Sequence, residues 1–251
     1  MRDLPYRLVI LTHGDSATLP AALAAFDEHV TPAPTETALV YDGPMPSAPV
    51  EDFIREREGN SWWSMVEGAP AGFCAATRYA WAIGAQPGVT HTFWLEHDFL
   101  VSRPVDLRDF AAVLDDKIEL AQMALMRDAY SKEEKAAGGL FEYRRSDFDT
   151  RFVTAPPRCQ TGRCDRWCPE CRDAAPPIDT RGDWLAMPWW TSNPHLAHRD
   201  FMADHPFPDD GEPFCEGRFG IALREQGFEF GTWGDGSVYC NHVGFRSGTG
   251  Y

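Results

Sequence analysis

The chain has 251 residues, 43% of them hydrophobic and 24% charged, with a formal net charge of −15. That length suits one large α/β domain, or one domain with a substantial insertion, and the composition is that of a globular protein rather than a disordered one. The acidity disfavours a surface that wraps nucleic acid through many phosphate contacts. No apolar run is long enough for a membrane span and no apolar leader precedes the first strand, so a soluble, cytoplasmic protein with no membrane partner is expected.

Arg7 to Thr12 is a continuous apolar run, the pattern of a buried parallel strand. An Ala/Leu-rich helix follows over about Leu19 to His29, with Thr18 or Ser16 as N-cap. Thr37 to Tyr41 is a second strand that stops at Asp42-Gly43. Strand, helix, strand in that order predicts a parallel sheet with a right-handed crossover. Residues 59 to 72 (Trp62 and Trp63 among them) read as an irregular loop with exposed rings. Phe73 to Ile83 has helical spacing and ends at Gly84, a C-cap residue. A further helix is expected over Val105 to Leu114 and a strand over Glu119 to Met126.

Between those two helices lies Thr92 to Phe99, a β-branched and aromatic run that ends in Glu96-His97-Asp98. Side chains alternate along a strand, so Glu96 and Asp98 point the same way at a sheet edge. In open α/β sheets that edge, at the carboxyl ends of the strands, is where ligands sit. Carboxylate and imidazole ligands suit a hard or borderline divalent ion, the usual bridge to a diphosphate.

After Arg127 the periodicity is lost. Residues 127–172 hold 10 Lys/Arg and 8 Asp/Glu, a net of +2 in a chain that is otherwise strongly acidic. Four of the seven cysteines crowd here as Cys159, Cys164, Cys168 and Cys171. Without a secretion signal, that cluster reads as a closed, structural Zn²⁺ site stapling a loop-rich insertion over residues 127–181. Arg163 and Arg166, with Trp167 beside them, are candidates for clamping an anionic acceptor. Cys74, Cys215 and Cys240 are scattered among apolar residues and read as buried thiols. From Asp183 a compact pattern returns, with Trp189 and Trp190, a helix over about Phe214 to Glu225 and a strand over Phe228 to Trp233. Paired tryptophans near a cleft offer faces for a sugar ring, although core packing explains them equally. His195, His198 and His205 lack the spacing of a helical metal motif, and surface or capping roles are expected of them.

The order of Thr12, Asp42, Arg78, Glu96-His97-Asp98, Cys215-Glu216 and His242 resembles that of GT-A glycosyltransferases, close to the family 2 type. The match covers about residues 6–126 and 184–244. The resemblance implies an α/β fold, a GT-A-like mixed sheet flanked by helices. Residues 1–126 would be the nucleotide-sugar half and 182–251 the acceptor and catalytic half of the same domain. It further implies that Thr12, Asp42, Arg78 and Glu96 hold the nucleotide-sugar donor. Asp98 and His242 would ligate Mn²⁺ or Mg²⁺, and Glu216 would be the general base of an inverting transfer to an acceptor hydroxyl. Trp189, Trp190, Arg163 and Arg166 would meet that acceptor, a hydroxymethylated DNA base, a protein or a glycan. Three departures stand out: Glu-His-Asp replaces Asp-x-Asp, Cys215-Glu216 replaces a Glu-Asp pair, and the cysteine-rich insertion replaces part of the acceptor region. Two other functions fit the same residues. One is a zinc-dependent interaction module with an inactive nucleotide fold, and the other is a metal-dependent phosphoester hydrolase.

Overall fold

The computed structural model describes residues 3–13, 18–43, 61–65, 72–127, 182–187, 190–208, 215–234 and 237–243. In chain order its first half runs β1 (Tyr6–His13), α1 (Leu19–His29), β2 (Val30–Thr31), β3 (Glu36–Asp42), β4 (Ser61–Met65), α2 (Phe73–Gly84), β5 (His91–Glu96), β6 (Phe99–Val101), β7 (Val105–Asp106), α3 (Leu107–Asp116) and β8 (Leu120–Ala124). The second half adds β9 (Trp184–Met187), β10 (His195–His198), α4 (Arg199–Asp204), α5 (Cys215–Glu225), β11 (Glu229–Trp233) and β12 (Cys240–His242).

One eight-stranded mixed sheet, in the order β4-β3-β1-β5-β10-β8-β11-β9, carries the fold. The four strands from β4 to β5 are parallel. β10 is antiparallel to both its neighbours, and β9 runs antiparallel to β11 at the far edge. Strands from residues 1–126 and from 182–251 therefore belong to one sheet. Residues 128–181, with the expected zinc cysteines, lie outside the described residues.

The sheet is covered on both faces, as a continuous apolar strand demands. Leu8 and Ile10 of β1 face a core completed by Leu19, Leu23 and Phe26 of α1 and by Phe110 and Leu114 of α3. Val9 and Leu11, one residue out of phase, face Ala76, Ala80 and Trp81 of α2 and Phe219 and Leu223 of α5. Trp81 is the hub of that second layer, with ring centroids 5.9 Å from Trp190 and 5.2 Å from Phe219. Its Nε1 donates to the carbonyl oxygens of Met202 (3.1 Å) and His205 (3.0 Å), so the buried N–H is satisfied.

Arg7, buried at the start of β1, ties the sheet to the carbonyl end of α2. It donates to the carbonyls of Ile83 (2.7 Å), Gln86 (3.0 Å) and Pro87 (3.1 Å), and it forms an ion pair with Glu36. A guanidinium suits this place, because the last turn of a helix leaves carbonyls without partners and carries partial negative charge.

Several expectations need correction. Residues 61–65 form strand β4 on the outer side of β3 rather than part of a loop. Gly84 is the last residue of α2, not its cap; a Cβ there would meet Met202 Cε at 2.6 Å, so the glycine permits close helix-to-helix approach. Thr18 stands at the N-cap of α1 but makes no side-chain cap bond there. Cys74 and Cys215 are not free thiols: they form a disulfide that joins the first turn of α2 to the first residue of α5. Cys240 is buried and outside the Cys74–Cys215 disulfide, its Sγ 3.6 Å from the Met126 carbonyl oxygen. No helix among the described residues is long and apolar enough to cross a membrane. A disulfide belongs to oxidising compartments, which runs against the cytoplasmic expectation.

Candidate functional site

Parallel pairing brings three strand ends to one edge. Leu11 of β1 lies opposite Glu96, the last residue of β5, and His13 lies opposite Asp42, the last residue of β3. Thr12 sits between them, fully buried, and its Oγ1 has no hydrogen-bond partner. Asp42 is also fully buried, and its Oδ2 accepts from the backbone N of Gly72 at 3.1 Å. Gly72 is the N-cap of α2, with φ 84°, a left-handed conformation that glycine takes without strain. Asp42 therefore places its carboxylate where the amides of a helix start already favour negative charge. Arg78 lies on α2, half-buried.

Beyond Glu96 the chain turns through His97 and Asp98 and returns as β6, which pairs antiparallel with β12. In that register His242 stands opposite Phe99, and Val243 N donates to the Asp98 carbonyl at 2.8 Å. These backbone ties bring His242 Nε2 to 3.0 Å from Asp98 Oδ2. The two residues expected to share an ion are thus adjacent, although 144 positions separate them in the chain. Burial alone would raise the Asp98 carboxyl. The hydrogen bond from His242 and the neighbouring His97 and His242 rings outweigh it and hold the group below its ordinary value. Asp98 Oδ1 is shut off from solvent and has no hydrogen-bond partner.

Glu96 has the opposite character. Its carboxyl is pushed well above the usual range, first by burial and then by the like charges of Asp98 and Glu216. A hydrogen bond with the Ser192 side chain offsets part of that. Glu96 Oε1, like Asp98 Oδ1, is buried without a partner. Glu216 reaches this cluster from the first turn of α5, whose start is bolted to α2 through Cys215 and Cys74. Three carboxylates from β5, the turn after it and α5 therefore crowd one place, with a histidine beside them. Such a cluster repels itself unless protons or a cation balance it.

Of the remaining expected residues, Trp190 lies in the core, 3% exposed, with ring centroids 5.4 Å from Phe219 and 5.6 Å from His195. It presents no face to an acceptor, and core packing is the reading that fits. Trp189, Arg163, Arg166 and Cys159, Cys164, Cys168 and Cys171 lie outside the described residues. His195 is buried within the sheet rather than at the surface, whereas His198 caps α4, accepting from Asp200 N at 3.2 Å. Sequence reasoning passed over Ser192, the disulfide and the contact between Asp42 and Gly72. None has a local signal, because each exists only once distant segments meet.

No family model matches the chain, and no curated protein matches it. Solved structures do share its architecture. GalNAc-T7 with UDP, GalNAc and Mn²⁺ superposes with a TM-score of 0.64 at 10% identity, covering 98% of this chain and 45% of that one. TarS of S. aureus gives 0.56 at 11% identity, with 96% and 37% covered. Its 1–349 fragment in complex with UDP-GlcNAc gives 0.55 at 11% identity, with 99% and 62% covered. The chain spans less than two thirds of each of these. At such identity the likeness shows the fold, which is that of the GT-A glycosyltransferases.

Proposed function

We propose that the chain is a metal-dependent glycosyltransferase that moves a sugar from a nucleoside diphosphate sugar to an acceptor hydroxyl. The observation that carries this reading is the convergence of Glu96, Asp98 and Glu216 at the carboxyl edge of the parallel strands, with His242 Nε2 3.0 Å from Asp98 Oδ2. The fold supports it, as do neighbours solved with UDP and Mn²⁺ or with UDP-GlcNAc.

The residues present fit a divalent ion. Asp98 Oδ1 is a buried acceptor without a partner, His242 adds an imidazole, and the surrounding carboxylates supply unbalanced negative charge. Asp98 and His242 would hold Mn²⁺ or Mg²⁺, which when bound supplies Lewis-acid stabilisation of the departing diphosphate. Asp42 and Thr12 line the donor side of the cleft, on the ends of β3 and β1. Arg78 on α2 would add a cation for the diphosphate. Glu216 takes the proton from the acceptor hydroxyl as the oxygen attacks the anomeric carbon, a single displacement that inverts configuration. The disulfide keeps Glu216 in place relative to α2.

The test is a thermal-shift and transfer assay against UDP-, GDP- and other nucleotide sugars with Mn²⁺. The reading requires stabilisation that depends on the sugar nucleotide and disappears in Asp98→Asn, together with nucleotide release that needs an acceptor. Release that proceeds equally without acceptor would instead identify a phosphoester hydrolase.

A further inference from the structure

We propose that His91, Asp115 and His198 form a second metal site, for Zn²⁺ or another borderline divalent transition ion, at the end of the sheet opposite the transferase cleft. The inference stands apart from the proposed activity: His91 opens β5, whereas Glu96 closes it.

The register sets His91 of β5 opposite His198 of β10, so the imidazoles stand side by side with ring centroids 4.9 Å apart. α3 packs across them and brings Asp115 Oδ1 to 3.4 Å from His91 Nε2 and 4.0 Å from His198 Nε2. Ligand atoms around a tetrahedral zinc ion, each about 2 Å from the metal, lie roughly 3.3 Å from one another. The Asp115–His91 pair already has that spacing, and all three ligand atoms lie within 4.8 Å of one another, so an ion would draw the other pairs closer.

Each ligand carries a sign of its own. His91 is 2% exposed, and its Nε2 is shut off from solvent with no hydrogen bond. When Thr90 Oγ1 gives its proton to the Pro5 carbonyl at 3.0 Å, it is left to accept from His91 Nδ1, also 3.0 Å away. Nδ1 then carries the proton, and the Nε2 lone pair is left facing the Asp115 carboxylate. Two acceptors facing each other at that range call for a cation between them. Asp115 lies in the last turn of α3 beside Asp116, where the carbonyls already carry partial negative charge and no basic residue lies within the turn itself, Lys117 following at the C-cap. His198 Nδ1 accepts from Asp200 N, but Asp200 Oδ2 lies 3.9 Å from the same nitrogen. With an ion on Nε2, Nδ1 becomes a donor, and the Asp200 carboxylate takes the orienting position beyond a metal-bound histidine. Two imidazoles and one carboxylate favour zinc-like ions over Mg²⁺ or Ca²⁺, and they leave one position for water. Bound there, the ion staples β5, β10 and α3 together.

The experiment uses the full chain stripped with EDTA and equilibrated with Zn²⁺, counting metal per chain and recording melting temperature. Asp115→Asn and His198→Ala change partly exposed side chains. Each is expected to lose one bound Zn²⁺ per chain and most of the zinc-induced rise in melting temperature, and to lose the same when added to an Asp98→Asn background, where the cleft no longer holds an ion. Equal zinc content and equal thermal response in the two variants and the parent overturn the proposal. A second reading needs no variant: in histidine NMR of the parent, Zn²⁺ should perturb His91 and His198 before His242, and the reverse order also overturns it.

Discussion

Replacing both Cys74 and Cys215 by alanine probes the link that joins the two halves of the cleft. The disulfide spans 141 residues of chain, and the loop-closure model assigns a crosslink of that span about 5 kcal/mol at 25 °C. Crosslinks often deliver less than the model allows, because the unlinked chain keeps some structure, so about 3 kcal/mol is the working expectation. With a urea dependence of about 2–3 kcal/mol per molar, the unfolding midpoint should fall by roughly 1–1.5 M. Reductant should lower the parent's midpoint to a similar degree and leave the double variant unmoved. Donor binding should weaken as well, because Cys74 is two residues from the glycine that holds Asp42 and Cys215 adjoins Glu216. A double variant with the parent's midpoint, indifferent to reductant and unaltered in donor affinity, would refute the argument that this link sets the cleft.

Two further changes test the electrostatics. Glu96 has a folded value raised above its ordinary one, so it costs stability as pH rises through and beyond the normal carboxylate range. In EDTA at pH 8, Glu96→Gln should therefore be more stable than the parent in urea melts, and transferase activity should fall; a destabilised variant would count against the crowding. His195 is lowered by burial from 6.5 to about 4. Above pH 6.5 it is neutral in both states. As the pH falls from 6.5 towards 4 the unfolded chain takes the proton first, removing about 3 kcal/mol of stability. His195→Leu should flatten the stability curve in that window, measured by urea midpoints at half-unit pH steps, and an unchanged slope would contradict it.

Much of the parallel half was legible because its signals are local. The run over β1 is apolar for long enough to be read as a strand buried on both faces, and α1 has the predicted bounds of Leu19–His29. The acids at the end of β5 announced themselves by ending an apolar run abruptly. What escaped is non-local. β10 is four residues long, begins and ends in histidine, and enters the middle of the sheet against the direction of β5 and β8. No periodicity is visible over four residues, so only its partners define it. The same holds for the disulfide, since pairing requires the Cα atoms to stand within a few ångströms, here 5.8 Å. Gly84 shows a different failure. Glycine at a predicted helix end suggests a cap, but here it serves contact with α4 through Met202.

The candidate site lies between these cases. Glu96, Asp98, Glu216 and His242 could each be picked out, yet each alone has an ordinary explanation: a polar turn, a helix-start acid or a loop histidine. The fold makes them one site by three separate constraints. β-pairing places Glu96 beside the end of β1, the β6–β12 ladder brings His242 to Asp98, and the disulfide joins the start of α5 to α2. Assembling them works against stability, because burial and like charge both penalise Glu96 and leave Asp98 Oδ1 without a partner. A polypeptide selected for stability alone has no reason to gather three carboxylates in one buried place. Binding a cation there turns the same repulsion into affinity, and this is the physical ground for reading the cluster as a site rather than as an accident of packing.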